Sequence, residues 1–304
     1  MQIEPDVSVS IGKLKLKNPV LCASGCFGYG QEYAELIDLS MLGGIILKGI
    51  TLKERQGNPM PRIVETPAGM LNSVGLQNMG LPRFLQEKLP LLSNIPTAVI
   101  ANICGETPEE YAVIAKGLSD KAGINALEIN ISCPNVSHGG MLFGQDMMLT
   151  FEVVNLVRKQ TSLPLIVKLS PNVTNIASIA RAAVDGGADA VSLINTLMGM
   201  AVDIKTQKPR LANITGGLSG PAIKPVALRM VWEVCKSVNI PVIGQGGIMD
   251  WEDSLEFLLV GATAVCIGTA NFVNPKAGME IVQGIKDYMR QYKIVDIGKI
   301  KMML

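Results

Sequence analysis

The sequence predicts an α/β fold: a single (β/α)8 TIM barrel with an N-terminal hairpin and inserted loops, one domain over 1–304. Three observations carry this expectation. Eight apolar runs of strand length follow one another along 304 residues. Amphipathic helical stretches separate them. Hydrophobic residues make up 48% of the chain and charged residues only 17%, enough to cover a large core. A barrel commonly needs roughly 250 residues, so the length suits one.

The strand candidates are PVLCAS (19–24), GGIILKG (43–49), TAVIANIC (97–104), ALEINIS (126–132), LPLIVKLS (163–170), AVSLINT (190–196), IPVIGQGG (240–247) and TAVCIGT (263–269). Near-continuous hydrophobicity marks strands buried on both faces of a parallel sheet. The stretch TPEEYAVIAKGLSDKAG reads as a helix capped by Thr107, with Pro108 in its first turn and Gly123 ending it. NIASIARAAVDGGAD and DWEDSLEFLLVGA follow the same logic. A doubly wound sheet would need a Gly-rich dinucleotide loop after the first strand, and CASGCFGYG does not match G-x-G-x-x-G in that register.

Three segments stand outside the repeat. Residues 3–17 alternate like a hairpin and are expected to plug the N-terminal end of the barrel. Residues 51–80 form a long excursion punctuated by Pro and Gly, and a loop of that length in a compact domain is usually functional. Residues 200–213 form a smaller excursion after the sixth strand.

Composition narrows the function. Lys+Arg is 27 and Asp+Glu is 26, a net +1, so there is no basic excess to neutralise a phosphate backbone and nucleic acid is excluded as a partner. The N-terminus lacks the apolar core of a signal peptide. The charge-free run 257–275 is split by Gly261 and Gly268 into a helix end and a buried strand, which argues against a membrane span. Six cysteines, at 22, 26, 104, 133, 235 and 266, form no C-x-x-C pair. A reduced, cytoplasmic protein is expected.

The strand ends are the informative feature, because a barrel enzyme builds its site at the C-terminal face of the strands. In order they offer Ser24, Lys48, Asn102, Asn130 with Cys133, Lys168, Asn195 with Thr196, Gly246 with Gly247, and Gly268 with Thr269. Any one of these is an ordinary turn residue or a snorkelling lysine. Two lysines and three asparagines converging on one face instead indicate a site. GQGGI and CIGTA end the seventh and eighth strands, where barrels often bind phosphate through backbone N–H groups. Lys48 and Lys168 lie on other strands and can face the ring end of a phosphorylated cofactor. A cation near N1–C2 of a flavin would stabilise its reduced, anionic form.

Cys133 follows the fourth strand into PNVSHGG. It lacks the Cys or His company of a metal site, so no metal is expected. CASGCFG begins like a C-x-x-x-C-x-x-C cluster motif, but Tyr29 holds the third position. His138, the only histidine, could make Cys133 an acyl-transfer nucleophile, yet nothing else supports that chemistry. A core thiol would be inert. A general base fits best, since a thiol with an ordinary pKa of about 8.5 needs little help to reach thiolate.

The motifs NSVGLQN (72–78), INISCPN (129–135), IVKLSPN (166–172), INT (194–196), GGLSG (216–220), IGQGGI (243–248) and IGTA (267–270) together resemble those of the dihydroorotate dehydrogenase family, in order and over nearly the whole chain. The resemblance implies an FMN enzyme of pyrimidine (UMP) biosynthesis that oxidises dihydroorotate to orotate. Hydride would pass to FMN N5 and the C5 proton to Cys133. Carried over residue by residue, FMN would meet Ser24, Lys48, Gly49, Asn102, Asn130, Lys168, Ile194, Gly220, Gly246, Gly247, Gly268 and Thr269. Substrate would meet Lys48, Asn72, Ser73, Val74, Gly75, Leu76, Asn130, Asn195 and Thr196. Amides suit a ring whose edge alternates N–H and C=O.

Cys rather than Ser as the base, with no N-terminal extension, resembles the soluble class. Within it, NSVGLQN and SCPNVSHGG look most like the NAD-linked group. The resemblance therefore implies a homodimer of this chain joined to an electron-transfer subunit carrying FAD and a 2Fe-2S cluster, two of each chain. The alternative within the family is a fumarate-dependent homodimer. Outside it, the alternatives are a barrel aldolase or synthase with Lys48 or Lys168 as a Schiff-base lysine, and a non-catalytic flavin-binding subunit.

Overall fold

A computed structural model describes residues 4–131 and 143–302. Eight parallel strands close into a barrel in sequence order: β1 (Val20–Cys22), β2 (Gly44–Ile46), β3 (Ala98–Ile103), β4 (Ala126–Asn130), β5 (Leu165–Lys168), β6 (Ala190–Leu193), β7 (Val242–Gln245) and β8 (Ala264–Ile267). All eight fall inside the predicted runs but are shorter, so Asn195, Gly246 and Gly268 stand on the loops just past the strands.

The near-continuous apolar runs conceal a period of two. Residues such as Leu127, Ile129, Val167 and Val191 pack outward against the helices. Leu21, Ile46, Ile100, Ala126, Ile166, Ala190, Ile243 and Ala264 fill the barrel interior. Continuing that alternation along each strand turns Ala23, Lys48, Asn102, Asn130, Lys168, Gln245 and Gly268 inward at the C-terminal end. Side-chain alternation thus delivers a polar upper layer over an apolar lower one.

The N-terminal hairpin forms as expected, with Val9–Ile11 antiparallel to Leu14–Leu16. Its Ile11 and Leu16 join the barrel-interior cluster and seal the N-terminal end.

Helices follow the strands at Pro108–Leu118, Met147–Arg158, Ile176–Asp185, Lys224–Cys235, Trp251–Leu259 and Ala277–Gln291. Thr107 caps the first of these by accepting from the Glu110 amide at 3.3 Å, and Asn175 caps the third by accepting from Ser178 at 3.1 Å. Such caps are each worth about 1 kcal/mol. One boundary differs from the sequence reading: the helix begun at Pro108 ends at Leu118, not at Gly123. Gly123 has φ +90° and serves the turn into β4, where a Cβ would press on the Ser93 amide.

The two excursions form one structure. Ile63–Thr66 and Gly69–Asn72, from the first, pair with Leu197–Met200 and Thr215–Ser219, from the second, in a four-stranded antiparallel sheet. The second excursion is therefore longer than 200–213 and carries strands at 197–200 and 215–219. Among the described residues no helix is long and apolar enough to cross a membrane.

Candidate active site

The capping sheet and the C-terminal strand ends enclose one cavity. Ser24, Lys48, Gly49, Asn102, Asn130, Lys168, Ile194, Gly220, Gly246, Gly247, Gly268 and Thr269 all line it. So do Asn72, Val74, Gly75, Leu76, Asn195 and Thr196. These are the cofactor and substrate residues expected from the sequence, except one. Ser73 is buried and does not line the cavity; its amide donates to the Arg62 carbonyl at 2.8 Å and its hydroxyl has no partner among the described residues. Cys133 and His138 lie outside the described residues.

Local structure explains why these side chains converge. Asn78, the last residue of NSVGLQN, ties the two ends of the first excursion together: its amide oxygen accepts from the amides of Thr51 and Gly80, and its nitrogen donates to the Leu76 carbonyl at 2.7 Å. Asn72 and Gly217 are register partners in the capping sheet, which brings both to the cavity roof. Asn172 donates to the Thr196 carbonyl at 3.1 Å and accepts from the Met198 amide at 3.0 Å, fixing the loop after β6. Thr269 donates to Ser219 at 2.8 Å and joins the capping sheet to the end of β8.

The electrostatics are those of a cationic pocket. Lys168 is buried and Lys48 half-buried. Among the described residues neither makes an ion pair. Burial holds Lys48 below the ordinary lysine range, opposed by the neighbouring thiols of Cys26 and Cys104. Burial likewise pushes the Cys26 thiol up, opposed by Lys168 and Lys48. Cys26 is thus a wall of the cavity beside both cations, a position nothing in CASGCFG distinguished.

Three observations bear on what the cavity can hold. The buried Gln245 side-chain nitrogen lines it without a hydrogen-bond partner among the described residues, so it needs an acceptor from a ligand. Gly247 lines the cavity with φ +80°, and a Cβ there would strike the Lys224 backbone, so this part of the wall requires glycine. A Cβ on Gly268 would meet nothing closer than Cys26 Sγ at 3.6 Å, so the fold does not require glycine and the space is cavity. A glycine-lined end for a phosphate and a cationic, amide-rich end for a planar ring fit FMN.

Residues not found from the sequence include Gln245, Met70, Ile248, Met249 and Phe272. Gln245 was legible, since it alternates with Ile243 on β7. The apolar ones carry no signal that separates a cavity wall from ordinary core.

Fold and site define a (β/α)8 barrel with a cationic, amide- and glycine-lined cavity at its C-terminal face, where barrel enzymes carry their active sites. The dihydroorotate dehydrogenase family profile matches residues 6–289. The catalytic subunit of dihydroorotate dehydrogenase B (NAD(+)) from Geotalea uraniireducens is 56% identical over 297 residues, covering 98% of this chain and 97% of that protein. The same subunit from Desulforamulus reducens is 56% identical over 295 residues, covering 97% of each. The crystal structure of DHODH in complex with ferulenol from Eimeria tenella superposes with a TM-score of 0.80 at 22% identity, over 98% of this chain and 88% of that one, and shares the fold. The chain belongs to the dihydroorotate dehydrogenase family.

Proposed function

We propose that this chain is the catalytic subunit of an NAD-linked dihydroorotate dehydrogenase, oxidising dihydroorotate to orotate in pyrimidine biosynthesis with FMN in the barrel cavity. The observation that carries this reading is the pair Lys48 and Lys168, turned into one cavity with no ion-pair partner among the described residues, opposite a glycine-lined end. When bound, FMN supplies the two-electron acceptor. The chain supplies the rest. Gly220, Gly246, Gly247, Gly268 and Thr269 hold the phosphate. Lys48, Asn102, Asn130 and Lys168 orient the ring. Asn72, Asn130, Asn195 and Thr196 hold the substrate's N–H and C=O edge, and the roof over them excludes water. Cys133 takes the proton from C5, so that the two hydrogens leave to different acceptors, each positioned independently.

Electrons pass on to NAD through a second subunit carrying FAD and a 2Fe-2S cluster. The names of the relatives, each a catalytic subunit, support a partner chain. Exposed Ile63, Met198, Met200, Val202 and Ile204, on or beside the capping sheet, support a homodimer through that face, giving two of each chain.

The purified chain should be yellow, or become so with added FMN, and should reduce NAD with dihydroorotate only when the partner is added. A colourless protein that takes up no FMN would overturn the reading. Fumarate reduction by the chain alone would move it to the homodimeric group.

A further inference from the structure

Glu128 stands in the middle of β4, directly under the cavity, with no exposure to solvent. Leu127 and Ile129 on either side pack outward and Ala126 packs inward, so the carboxylate points into the barrel. It is the only fully buried carboxylate among the described residues. Both oxygens are used: one accepts from the Asn102 side-chain nitrogen at 2.6 Å, the other from the Ser192 hydroxyl at 2.8 Å.

A carboxylate only accepts hydrogen bonds. Asn102 must therefore spend its NH2 on Glu128 and turn its oxygen away. That oxygen accepts from the Cys104 thiol at 3.4 Å and lies 3.1 Å from where a Cβ on Gly49 would sit, at the cavity wall. With an amide at 128, which both donates and accepts, the two ends of Asn102 would become interchangeable. Glu128 also fixes charge. Asn130 is the register partner of Lys168 and Glu128 that of Ile166, so the carboxylate lies one side-chain layer below the lysine. A buried charge survives only with compensation. Two donors and Lys168 above provide it.

We propose that Glu128 is a positioning residue for the cofactor. It locks the Asn102 amide with its oxygen toward Gly49 at the cavity wall, and it lays one negative charge beneath Lys168. It thereby sets both flavin affinity and how readily the flavin is reduced. This rests on the FMN reading above. Negative charge under the ring disfavours the anionic reduced form, so removing it eases reduction.

The test uses the full-length chain with FMN, reading FMN dissociation constant, midpoint potential and thermal melting. E128Q should raise the dissociation constant at least tenfold. It should also raise the reduced-to-oxidised ratio at a given poise about tenfold, about 30 mV more positive for a two-electron couple. E128D keeps the charge but cannot span Asn102 and Ser192 together, so affinity should fall while the potential stays near wild type. A residue with only a structural role would lower melting temperature in both variants without separating affinity from potential. A folded E128Q with wild-type affinity and potential would overturn the proposal. If E128Q does not fold, wild-type FMN affinity in E128D overturns it equally. Failure of the wild-type chain to take up FMN is a different result and would sink the flavin reading itself.

Discussion

The phenol of Tyr111 donates to the backbone carbonyl of Asn130 at 2.8 Å. Tyr111 lies on the helix after β3 and is fully buried, so this bond ties that helix to the last residue of β4. Asn130 also lines the cavity, which makes the bond a brace for the site as well as for the fold. Tyr111→Phe leaves a buried carbonyl without this donor and should cost about 1–2 kcal/mol. Urea unfolding of the two proteins checks this; an unchanged midpoint would mean that the bond braces nothing.

Gly268 separates ligand effects from folding effects. Because a Cβ there meets only ordinary contacts, Gly268→Ala should melt with the wild-type protein in the absence of FMN. The same methyl occupies cavity space, so FMN affinity should fall at least tenfold, about 1.4 kcal/mol. Gly247→Ala differs, since its Cβ would strike the Lys224 backbone at a positive φ. It should destabilise the protein even without ligand, by about 1 kcal/mol or more. Fluorescence titration with FMN and thermal melts of both variants distinguish the two outcomes.

Lys48 should give ligand binding a pH signature. Burial lowers its folded-state pKa. Between that value and the ordinary lysine value, the unfolded chain holds a proton that the folded chain lacks, so stability rises with pH across the window. Below the window the burial penalty is present in full. An anionic ligand beside the ammonium restores the proton, so orotate binding should take up a proton within the window and weaken as pH rises through it. Calorimetry in buffers of different ionisation heat measures this uptake, and Lys48→Met should abolish it.

The proton acceptor proposed from the sequence is tested by substitution. Cys133→Ala should retain FMN and lose at least about a hundredfold in the rate of flavin reduction by dihydroorotate, the lower range for loss of a general base. Cys133→Ser should keep a slow residual rate. Stopped-flow measurement of the reductive half-reaction reads both, and a wild-type rate in Cys133→Ala would reassign the base.

Much of this was legible in the sequence because barrel strands read as uninterrupted apolar runs, and their polar ends stand out against them. Lys48, Asn102, Lys168 and the GQGGI glycines were visible for that reason. Glu128 was not, although it sits inside ALEINIS, because a single mid-strand carboxylate reads as an outward-facing residue until the neighbours fix the inward set. Ser192 was hidden the same way. The capping sheet was invisible for another reason. Asn72 and Gly217 are 145 residues apart, and no local pattern records a register between strands that distant. Gly123 misled because a glycine after a helical stretch reads as its end, whereas here it serves the next turn.

The central claim is that this cavity holds FMN and passes it the electrons of dihydroorotate. Its most direct test is the visible spectrum of the FMN-loaded chain mixed anaerobically with dihydroorotate, without any partner. The flavin absorption should bleach, with one orotate formed per flavin reduced. A flavin spectrum that stays oxidised in excess dihydroorotate would contradict the account.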